Sequence, residues 1–97
     1  MQKSTGISER AMTDIQRLAQ KHNIGKVILF GSRARGDYKR TSDIDLAVSG
    51  GNIVEFSLDV EDDVWTLLKF DVVNLDRPVQ TELKESIQRE GVMIYKA

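Results

Sequence analysis

Short apolar runs alternate along this chain with longer amphipathic segments, and this alternation constrains the fold more than any other feature of the sequence. Runs of β-branched and aromatic residues beside turn residues are typical of strands. We predict strands at Lys26–Phe30, Asp43–Val48, Lys69–Leu75 and in the tail from Val92. The predicted fold class is α/β (α+β), a small mixed β-sheet flanked by helices in the order α-β-turn-β-α-β-α-β.

The segments between these strands carry apolar residues at helical spacing. Ser8–His22 reads as an amphipathic helix. For the last helix, the pattern predicts Asp76 as N-cap, Pro78 near the first helical position and an end at Gly91.

The segment from Asn52 to Leu68 is ambiguous. A helix would align Ile53, Phe56, Val60, Val64 and Leu67. A strand would align Val54, Phe56, Leu58 and Val60 instead. The length of the segment favours the helix.

The chain has no cysteine, so neither a disulfide framework nor a thiolate metal site can hold the fold. At 97 residues we expect residues 1–97 to form a single domain around one core. A net charge of −1 provides no general attraction to nucleic acid or membrane. The N-terminus lacks the apolar centre of a signal peptide, and no run approaches bilayer length, so we expect a cytoplasmic protein with no membrane partner.

Two aspartates stand one residue apart at the head of the second strand. Because residues i and i+2 of a strand share a face, Asp43 and Asp45 should point together, away from the core side of Ile44 and Leu46. Adjacent carboxylates repel unless a cation lies between them, and Mg²⁺ prefers oxygen ligands. The alternative is an exposed strand edge guarded by charge against aggregation.

A third aspartate, Asp71, begins the next predicted strand on the face opposite Phe70 and Val72. If the two strands are neighbours, Asp71 joins Asp43 and Asp45 as third metal ligand or general base. Such an arrangement serves two-metal phosphoryl and nucleotidyl transfer. A solvated residue at a strand start is the alternative.

Gly31 and Ser32 close the first strand. Glycine permits close approach of the backbone to a ligand, and a short helix beginning at Ser32 would offer N–H groups and a hydroxyl to phosphate oxygens. Arg33 and Arg35 stand in the same turn as possible phosphate contacts. There is no GxxxxGK[ST] pattern, so this is not a Walker loop.

Gly31-Ser32, ten further residues and then Asp43-Ile44-Asp45 resemble the GSx10DxD signature of the DNA polymerase β-like nucleotidyltransferase superfamily. The stretch "GSRARGDYKRTSDIDLAV" is similar in particular to the minimal nucleotidyltransferases. These are small bacterial proteins often encoded beside a HEPN-domain partner, and they include the MntA-type antitoxins. The resemblance covers essentially the whole chain, with the later "FDVV" strand and the closing "REGVMIY" in place.

The resemblance implies a nucleotidyltransferase fold in which Gly31 and Ser32 hold the triphosphate, with Arg35 beside them. It implies that Asp43 and Asp45 bind Mg²⁺ and that Asp71 completes the catalytic triad. The reaction of the antitoxin members would be transfer of AMP from ATP to a hydroxyl, a tyrosine of the HEPN partner. Two alternatives stay open: a binding module that neutralises its partner by complex formation, and an enzyme acting on a small molecule such as an aminoglycoside.

The segment Asp59–Asp63 departs from the usual family pattern, because many members have a basic or neutral helix there. Its acidity disfavours a nucleic-acid acceptor on that face. We read this acidic run as a solvated face or a partner surface. Trp65, at helical spacing with core residues, is expected to pack, and His22 is expected to contact carbonyls at a helix end.

Overall fold

The computed structural model of the protein describes residues 4–97, so the first three residues of the predicted domain lie outside the described part. The predicted order of elements is confirmed, including the short helix that begins at Ser32. The helices are α1 (Glu9–Lys21), α2 (Ser32–Arg35), α3 (Ile53–Asp63) and α4 (Thr81–Glu90). The strands are β1 (Lys26–Phe30), β2 (Ile44–Ser49), β3 (Phe70–Asn74) and β4 (Val92–Lys96).

These strands form one mixed sheet of four strands in the order β3-β2-β1-β4. β1 pairs antiparallel with β2 and β4, whereas β2 and β3 run parallel. A parallel pair requires a crossover connection, and α3 provides it. The predicted fold class is therefore confirmed.

Alternation along the strands gives the sheet two faces that carry different helices. On one face Leu29 and Leu46 are fully buried beneath α1 and α3. The helices contribute Ala11, Ile15, Leu18, Ile53, Phe56 and Val60 to this core. On the other face Phe30 and Ala47 pack with Ile87 of α4. The core therefore lies mainly between the sheet and the α1/α3 layer. No helix within residues 4–97 combines the length and apolar character that crossing a membrane requires.

The helix predicted from Asn52 onward ends earlier than its apolar pattern indicates. Val64 already has extended backbone angles (φ −81°, ψ 130°), and Leu67 is fully exposed. Trp65 is 68% exposed, so the prediction that it packs in the core is wrong. The last turn of α3 contains acidic residues and no basic one, which opposes the helix dipole and favours an early end.

Helix α4 begins later than predicted, because Asp76 does not cap it. The N-cap is Gln80, and Pro78 lies in the segment before the helix. Both carboxylate oxygens of Asp76 instead accept hydrogen bonds, one from the Ser49 hydroxyl (3.1 Å) and one from the Gly50 N–H (2.9 Å). Asp76 thus holds the turn that follows β2.

His22 connects two helices through its side chain. Its Nε2 lies 2.6 Å from Oδ2 of Asp59 on α3, rather than against helix-end carbonyls as the sequence led us to expect. Lys21 approaches the same oxygen at 3.4 Å. The hydrogen bond to His22 lowers the pKa of Asp59 below its usual value. The α1/α3 layer is therefore joined by a charged contact as well as by apolar packing.

The Arg33 side chain is buried, with only 1% of its surface exposed, so the prediction that it could contact phosphate is wrong. Its Nε donates to the carbonyl of Ser42 (3.0 Å) and its Nη1 to that of Thr5 (2.9 Å). Nη2 points to the carbonyls of Lys39 and Arg40. The guanidinium therefore holds the loop before β2 and cannot reach a ligand.

We expect Arg33→Met to destabilise the protein by about 2–4 kcal/mol, because several carbonyls would lose a charged donor in a buried position. Urea unfolding would measure the loss. Arg89→Met is the matched control, since the Arg89 side chain is 68% exposed and its one ion pair is long at 3.9 Å. It should change the free energy of unfolding by less than about 0.5 kcal/mol. Equal effects of the two variants would contradict the structural role of Arg33.

The contact between His22 and Asp59 predicts a pH dependence. Because the folded-state pKa of Asp59 is lowered, its carboxylate stabilises the fold above its unfolded-state pKa, and this stabilisation is lost as the pH falls through the folded-state value. Asp59→Asn should therefore be less stable than the parent near neutral pH and should lose less stability on acidification. Unfolding curves between about pH 2 and pH 7 would measure this. Parallel curves for Asp59→Asn and the parent would contradict it.

Candidate active site

The candidate site lies at the edge of the sheet where β1 ends and β2 and β3 begin. Strand register places Phe30 opposite Asp45, and Asp45 opposite Asp71. Residues directly opposite each other on neighbouring strands project to the same face. Asp45 and Asp71 are therefore neighbours on the α4 side of the sheet, as predicted if the two strands were adjacent.

Gly31 brings the backbone against the Asp45 carboxylate. Its φ is +76°, in the region that favours glycine. A Cβ at this position would collide with Oδ2 of Asp45 and would lie 3.1 Å from its Cγ. A side chain at position 31 would therefore displace the carboxylate or the backbone.

Helix α2 begins directly after this glycine. The N–H groups of Ala34 and Arg35 both donate to the Gly31 carbonyl at 3.1 Å, and that of Gly36 donates to the Ser32 carbonyl at 2.8 Å. The N–H groups at the start of a helix have no partner inside it. Ser32 is only partly covered, so its hydroxyl and the first N–H groups of α2 stand beside Asp45 where an anion could bind.

The surroundings of Asp45 disfavour the charged form of its carboxyl group. Burial raises its pKa, and the neighbouring carboxylates of Asp71 and Asp43 raise it further, whereas Arg35 lowers it. Three carboxylates thus gather near one guanidinium. A cation at this position would relieve the repulsion among them.

Asp43 stands immediately before β2, not within it. The following residue, Ile44, joins the sheet by donating its N–H to the Lys69 carbonyl at 2.8 Å. Asp43 and Asp71 are exposed, and Asp45 is half-buried. The aspartates therefore form an open cluster facing solvent.

The donor set fits a hard divalent cation. All three groups are carboxylates, and the pKa of the central one is raised first by burial and then by the other two carboxylates, which a bound cation would offset. Within residues 4–97, no three carboxylates or imidazoles are already drawn together as a closed metal cage. The exposed side chains of Asp43 and Asp71 would have to rotate toward Asp45 to complete one.

Arg35 lies at the rim of this cluster. Its Nη1 is 2.9 Å from Oε2 of Glu90, and its Nε is 3.2 Å from Oδ1 of Asp37. It is close enough to Asp45 to lower the pKa of that carboxyl. The structure thus brings Gly31, Ser32, Arg35 and the three aspartates to one edge and excludes Arg33.

Glu90 at the end of α4 was not predicted as a neighbour of this site. It is nearly buried, with its side chain 19% exposed, and it orients the Arg35 guanidinium. Its partner is 55 positions away along the chain. No local pattern in the sequence indicates such a pairing.

A family model described as polymerase beta, nucleotidyltransferase, matches residues 13–97 of the chain. A "putative protein adenylyltransferase" of Methanocaldococcus jannaschii is 48% identical over 81 residues, which cover 74% of this chain and 79% of the relative.

Several solved structures share the fold, and two of them show the extent of the likeness. A chain of a toxin-antitoxin crystallised with AMP-PNP is 26% identical with a TM-score of 0.66. The superposition covers 89% of this chain and 73% of the toxin-antitoxin chain. The structure of a "putative minimal nucleotidyltransferase" is 28% identical with a TM-score of 0.62, covering 84% and 86%. Together with the family model and the strand order, these likenesses show that the chain belongs to the polymerase beta nucleotidyltransferase family.

Proposed function

We propose that this nucleotidyltransferase uses Mg²⁺ to transfer AMP from ATP to a hydroxyl group of a partner protein, and that it thereby acts as an antitoxin. The acceptor we propose is a tyrosine of a HEPN-type partner. The observation that carries the proposal is the register that sets Asp45 beside Asp71, with Gly31 against the Asp45 carboxylate.

We assign the metal to the aspartate cluster. Asp45 would be the central ligand because it is the most buried of the three, and the exposed Asp43 and Asp71 would close on the ion from either side. Bound there, Mg²⁺ would neutralise charge on the triphosphate and activate the attacking oxygen. Without the ion, the repulsion that raises the pKa of Asp45 would also repel the substrate phosphates.

We assign the triphosphate to the start of α2. The Ser32 hydroxyl and the first N–H groups of this helix would donate hydrogen bonds to phosphate oxygens. Gly31 would allow the phosphates to approach the backbone closely, because it has no Cβ. Arg35, held by Glu90 and Asp37 at the rim, would contribute positive charge without leaving its ion pairs.

The reaction would be an in-line displacement at the α-phosphorus. The acceptor oxygen forms a bond to that phosphorus while the bond to the oxygen between the α- and β-phosphates breaks, and pyrophosphate leaves. Asp71, the exposed carboxylate of β3, would receive the proton of the acceptor hydroxyl. Electrostatic stabilisation and positioning supply most of the acceleration in such transfers.

A protein acceptor is supported by the relatives. One has a name that describes it as a protein adenylyltransferase, and one solved chain is part of a toxin-antitoxin with AMP-PNP. The two alternative functions make other demands. A binding module would neutralise its partner without transferring AMP, and an enzyme acting on a small molecule would need no partner protein.

Transfer of radiolabel from ATP labelled at the α-phosphate tests the proposal. The chain would be incubated with the product of the adjacent gene, or with an extract of the source cells, with and without Mg²⁺. We expect a labelled protein that requires Mg²⁺, and we expect Asp45→Asn to reduce labelling by at least about 100-fold. Glu82→Gln is the matched control, since Glu82 is exposed at the start of α4 away from the proposed site, and it should label normally.

Each rival predicts another result. Undiminished complex formation by Asp45→Asn without any label would identify a binding module. Label appearing only on a small molecule would identify the aminoglycoside type of enzyme. Either result would overturn the proposal.

Thermal unfolding offers a test that needs no acceptor. Because burial and the neighbouring like charges raise the pKa of Asp45, its carboxylate destabilises the fold near neutral pH, so Asp45→Asn should raise the melting temperature in the absence of metal. Mg²⁺ with ATP should then stabilise the parent but not the variant. Equal stabilisation of both by Mg²⁺ and ATP would show that the ligand binds elsewhere.

A further inference from the structure

Helix α3 presents apolar side chains to solvent. Among residues 4–97, six large apolar side chains are exposed, and four of them lie between residues 54 and 67. Val54 (62% exposed) and Leu58 (56%) lie on α3 and form the surface that we call the α3 face. Trp65 (68%) and Leu67 (104%) follow the end of the helix, and the Trp65 ring lies under the Arg10 guanidinium of α1 at 4.5 Å. Exposed apolar side chains that cluster in this way are typical of interaction surfaces rather than of an ordinary solvated helix.

Leu58 is surrounded on the helix surface mainly by acidic residues. On a helix its neighbours are the residues three and four positions away. Three of these four are acidic: Glu55, Glu61 and Asp62. The fourth is Val54, which extends the apolar stripe by one turn. The α3 face is therefore an apolar stripe bordered by carboxylates on both sides.

These carboxylates are not balanced within the described part of the chain. Helix α3 contains no Lys or Arg. Across residues 4–97, Asp59 is the one acidic residue of α3 that forms a salt bridge, and its partners Lys21 and His22 lie on the side facing α1. Acidic residues at the C-terminal end of a helix also oppose its dipole. The charge on this face thus disfavours the isolated helix and would be offset by a basic partner.

We propose that the α3 face docks a basic amphipathic helix of the acceptor protein, with apolar side chains on Val54 and Leu58 and Lys or Arg side chains against the bordering carboxylates. Charge complementarity selects this occupant. A second copy of the chain would place its own acidic helix against this one, because a two-fold interface pairs identical surfaces. Nucleic acid and anionic membranes carry the wrong charge.

The position of this face agrees with its role. The chain returns through α3 to the sheet edge at which β3 begins, and only residues 68–70 separate Leu67 from Asp71. Four residue steps span at most about 14 Å. Because α3 and the aspartates lie on opposite faces of the sheet, a protein docked on α3 would reach the aspartate cluster around the edge strand β3. This inference rests on the proposed function, since it assigns the surface that holds the acceptor.

A synthetic helical peptide tests the docking surface. It would have about 18 residues, long enough to be helical, with leucines on one face flanked by lysines and with no tryptophan. A matched peptide would carry Glu in place of each Lys. Because Trp65, the single tryptophan of the chain, lies against Arg10 of α1 rather than on α3, binding is measured by the fluorescence anisotropy of a dye attached to the peptide. We expect the lysine peptide to bind at least about tenfold more tightly than the glutamate peptide.

Variants locate the binding. Leu58→Asn, and separately Glu61→Lys with Asp62→Lys, should each weaken binding of the lysine peptide by at least about tenfold. Met93→Asn on β4 and Glu82→Lys with Glu85→Lys on α4 are matched controls at exposed positions of other elements, and they should stay within about twofold of the parent. Circular dichroism and melting temperature would establish that each variant is folded.

Three results would overturn the inference: no preference for the lysine peptide, no weakening by either α3 variant, or equal weakening by the controls. A dimer in sedimentation that Leu58→Asn dissociates would also overturn it, since the occupant would be a second copy. Stabilisation by Mg²⁺ and ATP is measured in parallel. If it persists while the peptide fails to bind, only the docking surface is wrong; if the peptide binds and this stabilisation is absent, the proposed function fails instead.

Discussion

The contact between Gly31 and the Asp45 carboxylate is the constraint on which the site depends. A carboxylate can lie against the end of β1 only because position 31 has no Cβ and adopts a positive φ. The same contact fixes where α2 starts, because the Gly31 carbonyl accepts the bonds from Ala34 and Arg35. The sheet register then adds Asp71 beside Asp45. Strand pairing and a single glycine thus bring the turn that we propose binds phosphate and the acidic residues to one edge of the sheet.

Two regions of this molecule carry negative charge that the described residues do not balance, and they differ in kind. At the sheet edge, burial and proximity raise the pKa of Asp45, which suits a divalent cation. On α3 the acidic residues are exposed and surround apolar side chains, which suits a basic protein surface. In our proposals, metal and nucleotide would therefore bind in one region and the acceptor protein in the other.

Local patterns predicted most of the fold and the residues of the candidate site. Strand alternation together with the glycine that closes β1 indicated the elements, and the rule that residues two apart share a face indicated where Asp45 and Asp71 would point. The predictions for Leu67 and Trp65 were wrong because the helical spacing continues past Asp63, while the charge of the last turn favours an earlier end.

Distant contacts were beyond the reach of sequence patterns. Nothing local distinguishes Arg33 from Arg35, yet the first is buried among backbone carbonyls and the second lies at the rim of the site. Asp76 is a residue type that often caps helices, but its carboxylate accepts hydrogen bonds from the turn at Gly50 instead. Both cases depend on chain segments that only the folded sheet brings together.

The most direct test of the central claim is a crystal structure of the chain with Mn²⁺, in place of Mg²⁺, and a non-hydrolysable ATP analogue. Anomalous scattering would locate the metal without relying on coordination geometry. The account predicts an ion bound by Asp45 together with Asp43 and Asp71, and a triphosphate against Gly31 and Ser32. A nucleotide bound away from α2, or a metal that does not contact Asp45, would contradict it.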